Sequence, residues 1–194
     1  MRSTLFALAF AAVGVSAAPS APSADVNLTA DQATTILKSI TDSLQAAGDL
    51  RASLQQATPQ FTSENAASPY QALADSFTST FNLLPSTSGD FDIGPATDAQ
   101  AAAICALVPK FEAAGTHASD TLLNVPDFQD ANGTPARTAA INLGLVLENL
   151  GWQLNIFHWG FINSGVASTC DKATQIAFGA VPLLLMNAGD AILY

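Results

Sequence analysis

The side chains able to do chemistry are few: two histidines, two cysteines and sixteen carboxylates in 194 residues. His158 stands out, because it lies in "WQLNIFHWGFI" (152–162) beside both tryptophans and two phenylalanines. As a zinc or iron ligand it would need partners at helical spacing, and no H-x-x-x-H, H-E-x-x-H or E-x-x-H occurs. As a general base it would need an acid. Glu148 is ten residues earlier, about 15 Å along a helix and out of direct reach. His117, in "GTHAS", reads as a loop residue. Neither cysteine sits in a C-x-x-C or next to a histidine, so neither thiolate has an activating neighbour. Asp90, Asp92 and Asp98 in "SGDFDIGPATD" miss the alternating ligands and final Glu of a calcium loop. They read as loop acids, with Asp98 near a helix N-terminus. No G-x-S-x-G elbow, phosphate-cradling glycine loop or active-site carboxylate pair is present. The expectation is a protein that is not an enzyme, with no cofactor and no metal.

The elements that would carry these residues are helical almost throughout. Arg2, the apolar run Leu5 to Val15 and the small residues Val15-Ser16-Ala17 form a signal peptide, residues 1–17. Residues 18–27 read as a flexible Pro/Ala/Ser lead-in. Residues 28–194 then form a single helical domain. Thr29 or Asp31 caps a helix over about 30–57, with Leu37, Ile40, Leu44, Ala47 and Leu54 on one stripe. Ser68 as N-cap and Pro69 open a second, which stops at Pro85. Thr97 begins a third, kinked at Pro109 and open to a break at Gly115. Pro135 starts a fourth that runs to about Asn163, and Ser168 or Thr169 caps a fifth. No strand alternation is visible. The fold class is all-α, an antiparallel bundle of about five helices. In an oxidising compartment, two cysteines and no other thiol predict a Cys105–Cys170 disulfide stapling the third helix to the fifth.

On the fourth helix, Leu145, Trp152, Ile156 and Trp159 share one face, and Leu143, Leu147, Leu150, Leu154, Phe157 and Phe161 share the adjoining one. A rod so apolar around its girth is expected at the centre of the bundle. A narrow seam remains, of Gly144, Glu148, Gly151, Asn155, His158 and Ile162. Its glycines cost about 1 kcal/mol each in helix propensity, so the seam meets another helix or faces a cavity. The candidate ligand-binding residues are Trp152, Asn155, Ile156, His158, Trp159 and Phe161.

The net charge is −10, and removing the leader with its single Arg2 makes it −11. Nucleic acid is excluded as a partner, because five isolated cations (Lys38, Arg51, Lys110, Arg137, Lys172) cannot track phosphates. Sequons at Asn27 and Asn132 suit a secreted glycoprotein. The chain is not expected to span a membrane, since the leader is too short. The apolar tail holds Asp190, which counts against a lipid-anchor signal.

The leader ending "SAAPS", the mature start "ADVNLTADQATTILKSITDSLQAA" and the closing "MNAGDAILY" resemble the fungal hydrophobic-surface-binding protein A and cell-wall mannoprotein family. The likeness covers about residues 25 to 194. The two cysteines and the Trp/His-rich fourth helix depart from that pattern. The resemblance implies a secreted or wall-associated protein without catalytic residues that binds hydrophobic surfaces, lipids or fatty acids, in a setting of cell-wall polysaccharide. Two alternatives remain open. One is a secreted structural or effector protein with a filled core. The other is a small hydrolase or metalloprotein that uses His158.

Overall fold

The computed structural model describes residues 25–57, 61–62, 64–85, 90–120 and 133–193. The signal peptide, most of the lead-in, the long connection over 121–132 and the Asn132 sequon lie outside them. Among the described residues the elements are β1 (Val26–Leu28), α1 (Ala30–Ala57), α2 (Ala67–Phe81), β2 (Phe91–Ile93), α3 (Asp98–Asp120), α4 (Pro135–Asn163) and α5 (Lys172–Leu193), with a 3₁₀ turn at Ala167–Thr169 before α5. The fold is an all-α bundle of five helices, as its periodicity predicts.

Three starts are set by threonine side chains. Thr29 caps α1 in a reciprocal box: its hydroxyl accepts from Gln32 N–H at 3.2 Å, and its own N–H donates to Gln32 Oε1 at 2.8 Å. Thr97 and Gln100 repeat the device for α3. Thr134 caps α4 through the N–H of Arg137, with Pro135 in the first turn.

Several expectations need correction. Ser68 is not the cap of α2, which begins at Ala67 with no side-chain cap and ends at Phe81, short of Pro85. α3 runs unbroken through Gly115, whose missing Cβ makes room for the Val181 side chain. His117 is therefore helical. Asp171, rather than Ser168 or Thr169, caps α5 by accepting from Thr174 N–H at 2.9 Å and its hydroxyl at 2.8 Å. Those bonds hold the Asp171 carboxyl below its ordinary range. Val26 and Asn27, assigned to the flexible lead-in, pair with Phe91 and Asp92 in a two-stranded parallel ladder. Three residues per strand are too few for alternation to register in a sequence.

Consecutive helices alternate in direction, but their neighbours in space do not simply follow the chain. α1 packs on α2 and α3, α2 on α4, α4 on α5, and α5 on α3, which closes a ring in the order α1, α2, α4, α5, α3. α1 and α3 run parallel: Gln100 Nε2 donates to Asp31 at 2.8 Å near their starts, and His117 meets Asp49 nearer their ends. The parallel β1–β2 ladder follows, since each strand leads into one of these helices. The Cys105–Cys170 disulfide is present, with Cα atoms 5.5 Å apart. It staples α3 to the turn before α5. A chain of edge-on and tilted phenylalanines fills the core near this staple: Phe91, Phe157, Phe161, Phe178 and Phe111, with successive centroids 5.0–5.6 Å apart.

Candidate functional site

α4 is not a central rod. It takes its place in the ring between α2 and α5, and its fourth side faces solvent. Leu143, Leu147, Leu150, Leu154, Phe157 and Phe161 form the core face and are buried. The face of Leu145, Trp152, Ile156 and Trp159 turns outward. Trp152 is 57% exposed and Trp159 50%, while Ile156 is half-buried.

The seam is closed by α5. A Cβ on Gly151 would lie 2.7 Å from the Pro182 carbonyl oxygen, and one on Gly144 would lie 3.1 Å from that of Gly189. A Cβ on Gly189 would in turn lie 2.8 Å from the Gly144 oxygen. The glycines are there because two backbones come this close. The helices cross antiparallel, with Gly144 opposite Gly189, Gly151 opposite Pro182 and His158 opposite Gly179.

That register aligns the outer edges. Trp152 follows Gly151 and Leu183 follows Pro182, so these two side chains border the same outer groove at one level. Two turns along, Trp159 and Ile176 border it at the next. Leu183 is 55% exposed and Ile176 64%. Among the described residues, the exposed large hydrophobics are Leu83, Leu145, Trp152, Trp159, Ile162, Ile176 and Leu183. All except Leu83 lie on α4 and α5, which makes them one apolar face rather than scattered singles.

The six candidate residues are thus divided. Trp152, Ile156 and Trp159 belong to the outer face. Asn155 is half-buried on the seam side. Phe161 is fully buried among the core rings, 5.0 Å from Phe157 and from Phe178. His158 lies between the two helices, its ring 5.1 Å from Phe178 and 5.9 Å from Trp159. Its Nδ1 is buried without a hydrogen-bond partner among the described residues. Burial pushes the imidazole below its ordinary range, so it sits there neutral. Sequence reasoning missed Ile176 and Leu183, although their i, i+7 spacing places them on one side of α5. Asn27 is exposed on β1, with Thr29 of its sequon engaged in the α1 cap.

Two other groupings were not foreseen. Glu148 packs its stem over Gly189 of the facing helix, the residue before Asp190. The hydrogen bond to Asp190, with burial and the neighbouring charge, raises the Glu148 carboxyl above its ordinary range. His117 Nε2 lies 3.1 Å from Asp49, its ring over Gly48, and ties α3 to α1. Neither histidine joins a metal-ligating cluster; among the described residues no group of three His, Cys, Asp or Glu side chains converges. Two shallow clefts between α2 and α4 share Phe81 and Asn82. They measure about 360 and 270 Å³ and include none of the six candidates.

α5 is the one described helix long and apolar enough to cross a membrane by length and composition, and its Phe178, Val181, Leu185, Ala188 and Ile192 are buried in the bundle. No family model, no characterised protein and no solved structure matches the chain.

Proposed function

We propose that this is a secreted, non-enzymatic helical protein that binds apolar surfaces or lipids through the outer face of α4 and α5. The observation that carries the reading is the gathering of both tryptophans with Leu145, Ile162, Ile176 and Leu183 on that single face. Tryptophan is favoured where one side of a protein is apolar and the other wet, because its ring is large and its N–H is polar. Burying such a face against an apolar phase gains about 25 cal/mol per Å². The opposite side of the ring is α1, whose exposed positions include Asp31, Gln32, Lys38, Asp42, Gln45 and Asp49. A bundle apolar on one side and polar on the other adsorbs in one orientation.

The leader and the exposed Asn27 sequon support a secreted glycoprotein, and the resemblance to wall-associated proteins supports an extracellular or cell-wall setting. The phenylalanine chain in the core favours binding on the outside of the bundle over binding within it.

The test is adsorption to a polystyrene film and to phosphatidylcholine vesicles, for the natural protein and a Trp152→Ser/Trp159→Ser variant. The variant should keep its melting temperature and lose most of its adsorption. Equal adsorption by both would overturn the reading.

A further inference from the structure

The exposed side of α4 and α5 is close to symmetric end for end. On α5, Lys172 and Asp190 are eighteen residues apart, five full turns, so they lie on one line. Ile176 and Leu183 stand between them, within about 40° of that line. All four are exposed. On α4, Leu145, Trp152 and Trp159 recur every seventh residue along the adjoining exposed stripe. The midpoint of the first stripe is Val181, nine residues from Lys172 and from Asp190. The midpoint of the second is Trp152, seven residues from Leu145 and from Trp159. Gly151 faces Pro182, so the two midpoints stand at one level of the antiparallel pair. Within these two helices the exposed charged residues are Lys172 and Asp190. Arg137 is turned to the carbonyls of Ile192 and Leu193, at 3.0 and 3.2 Å, and Glu148 packs over Gly189 in the seam.

We propose that a second copy of this chain covers this face in solution, around a two-fold axis that crosses both helices at that level. The axis lays each α5 antiparallel on the second copy's α5, and each α4 on its α4. Lys172 then meets the second copy's Asp190 on both sides, about 13.5 Å from the axis. Trp159 meets the second copy's Leu145 at about 10.5 Å, and the two Trp152 rings meet at the centre. An isologous contact requires a self-complementary patch. Stripes with midpoints at different levels would satisfy only one of these two sets of pairs; here one axis satisfies both. Area also fits. Two helices side by side, about 33 Å long and 20 Å across, offer about 650 Å² per copy. Both copies together bury about 1,300 Å², inside the range of specific interfaces and at its lower end. The contact brings no net charge of its own together, and α1, with its exposed acids, lies across the ring from it. The pairing rests on the same exposed face as the reading above and adds what that face meets in water. Adsorption to an apolar surface then competes with it.

The experiment is sedimentation equilibrium over about 1–200 μM protein, with tryptophan emission read on the same samples. It uses the natural protein, Lys172→Asp, Asp190→Lys, the double swap of both, and Leu183→Glu. All three positions are exposed, so the variants should melt with the natural protein. The natural protein should reach the mass of a dimer, its emission moving to the blue as Trp152 and Trp159 dry. Lys172→Asp and Asp190→Lys each turn two attractive pairs into repulsive ones and should weaken pairing roughly tenfold. The double swap restores both pairs and should recover most of that loss. Leu183→Glu should be a monomer. A natural protein that stays monomeric throughout overturns the pairing, and the face reading stands if it still adsorbs to polystyrene. A dimer that survives Leu183→Glu, or whose loss in the single variants the double swap fails to restore, overturns this interface. Pairing as described without adsorption supports the second copy and overturns the adsorption reading alone.

Discussion

Replacing Gly151 with alanine sets two physical effects of opposite sign against each other. Where a helix has room, alanine for glycine stabilises by about 1 kcal/mol. At Gly151 the new Cβ would stand 2.6 Å from Met186 Cγ, 2.7 Å from the Pro182 carbonyl oxygen and 3.0 Å from Met186 N. The methionine side chain can swing aside; the α5 backbone cannot. α4 and α5 must therefore part at this level. Overpacking of this kind costs about 1–3 kcal/mol, and a backbone obstacle belongs towards the upper end. Offset by the helix gain, the net loss is about 1–2 kcal/mol. In a domain of this size that lowers Tm by about 2–8 °C. Gly179→Ala is the internal comparison, because its Cβ would meet only the His158 ring, 3.0 Å away at the nearest atom, and a side chain can rotate. Its Tm should stay close to that of the natural protein. Thermal and urea unfolding followed by circular dichroism would read both. A higher Tm for Gly151→Ala would show a seam with space for a side chain. That would refute the close packing from which the outer face was aligned.

Three other perturbations have clear expected outcomes. Arg51 is 2% exposed, and its Nε and Nη1 have no hydrogen-bond partner among the described residues; burial depresses its pKa, so Arg51→Met should stabilise by about 1–4 kcal/mol in urea unfolding. An unchanged or lower midpoint would show that the cation is compensated. Reducing Cys105–Cys170, which closes a loop with a sequence separation of 65, should cost about 4 kcal/mol on the chain-entropy treatment. Tm should fall by roughly 8–16 °C, and an unchanged melt after complete reduction would refute the staple. His158 has a folded-state pKa depressed by burial, so its contribution to stability is present above the ordinary imidazole range and is lost as pH falls through it. His158→Leu should remove that part of the acid sensitivity, and an identical pH–stability profile in the variant would show that the ring protonates in place.

The helices were legible because their signals are local. Thr29 with Gln32, Thr97 with Gln100, and Thr134 with Pro135 mark three starts within one turn of sequence, and the α1 and α4 limits match the periodicity. Ring order was not legible, because no local signal says that α3 crosses to lie between α1 and α5. The same gap misplaced α4. Its hydrophobicity showed which residues share a face, but whether Trp152 and Trp159 point to core or solvent depends on how many neighbours the helix has. The glycines of the seam gave the better clue. Gly144 and Gly151 are seven residues apart on one line, and that spacing announces a partner backbone without saying which helix supplies it. The contact of Glu148 with Gly189 was invisible for a related reason: the two are 41 residues apart and meet only because α4 and α5 pack antiparallel at that register.

The distribution of charge and apolar surface makes the proposed adsorption compatible with solubility. α4 and α5 together span 51 residues (29 and 22) and hold four ionisable groups that carry charge near neutrality: Arg137, Glu148, Lys172 and Asp190. These cancel to zero, so the net charge of −10 is carried elsewhere on the chain. In water that acidic remainder limits association to the pair formed through the exposed face. At an apolar boundary the exposed acids of α1, Asp31, Asp42 and Asp49, stay on the wet side, and repulsion between neighbouring molecules limits how densely they crowd. Added salt should therefore raise coverage by screening that repulsion, and coverage indifferent to salt would show that lateral repulsion does not limit it.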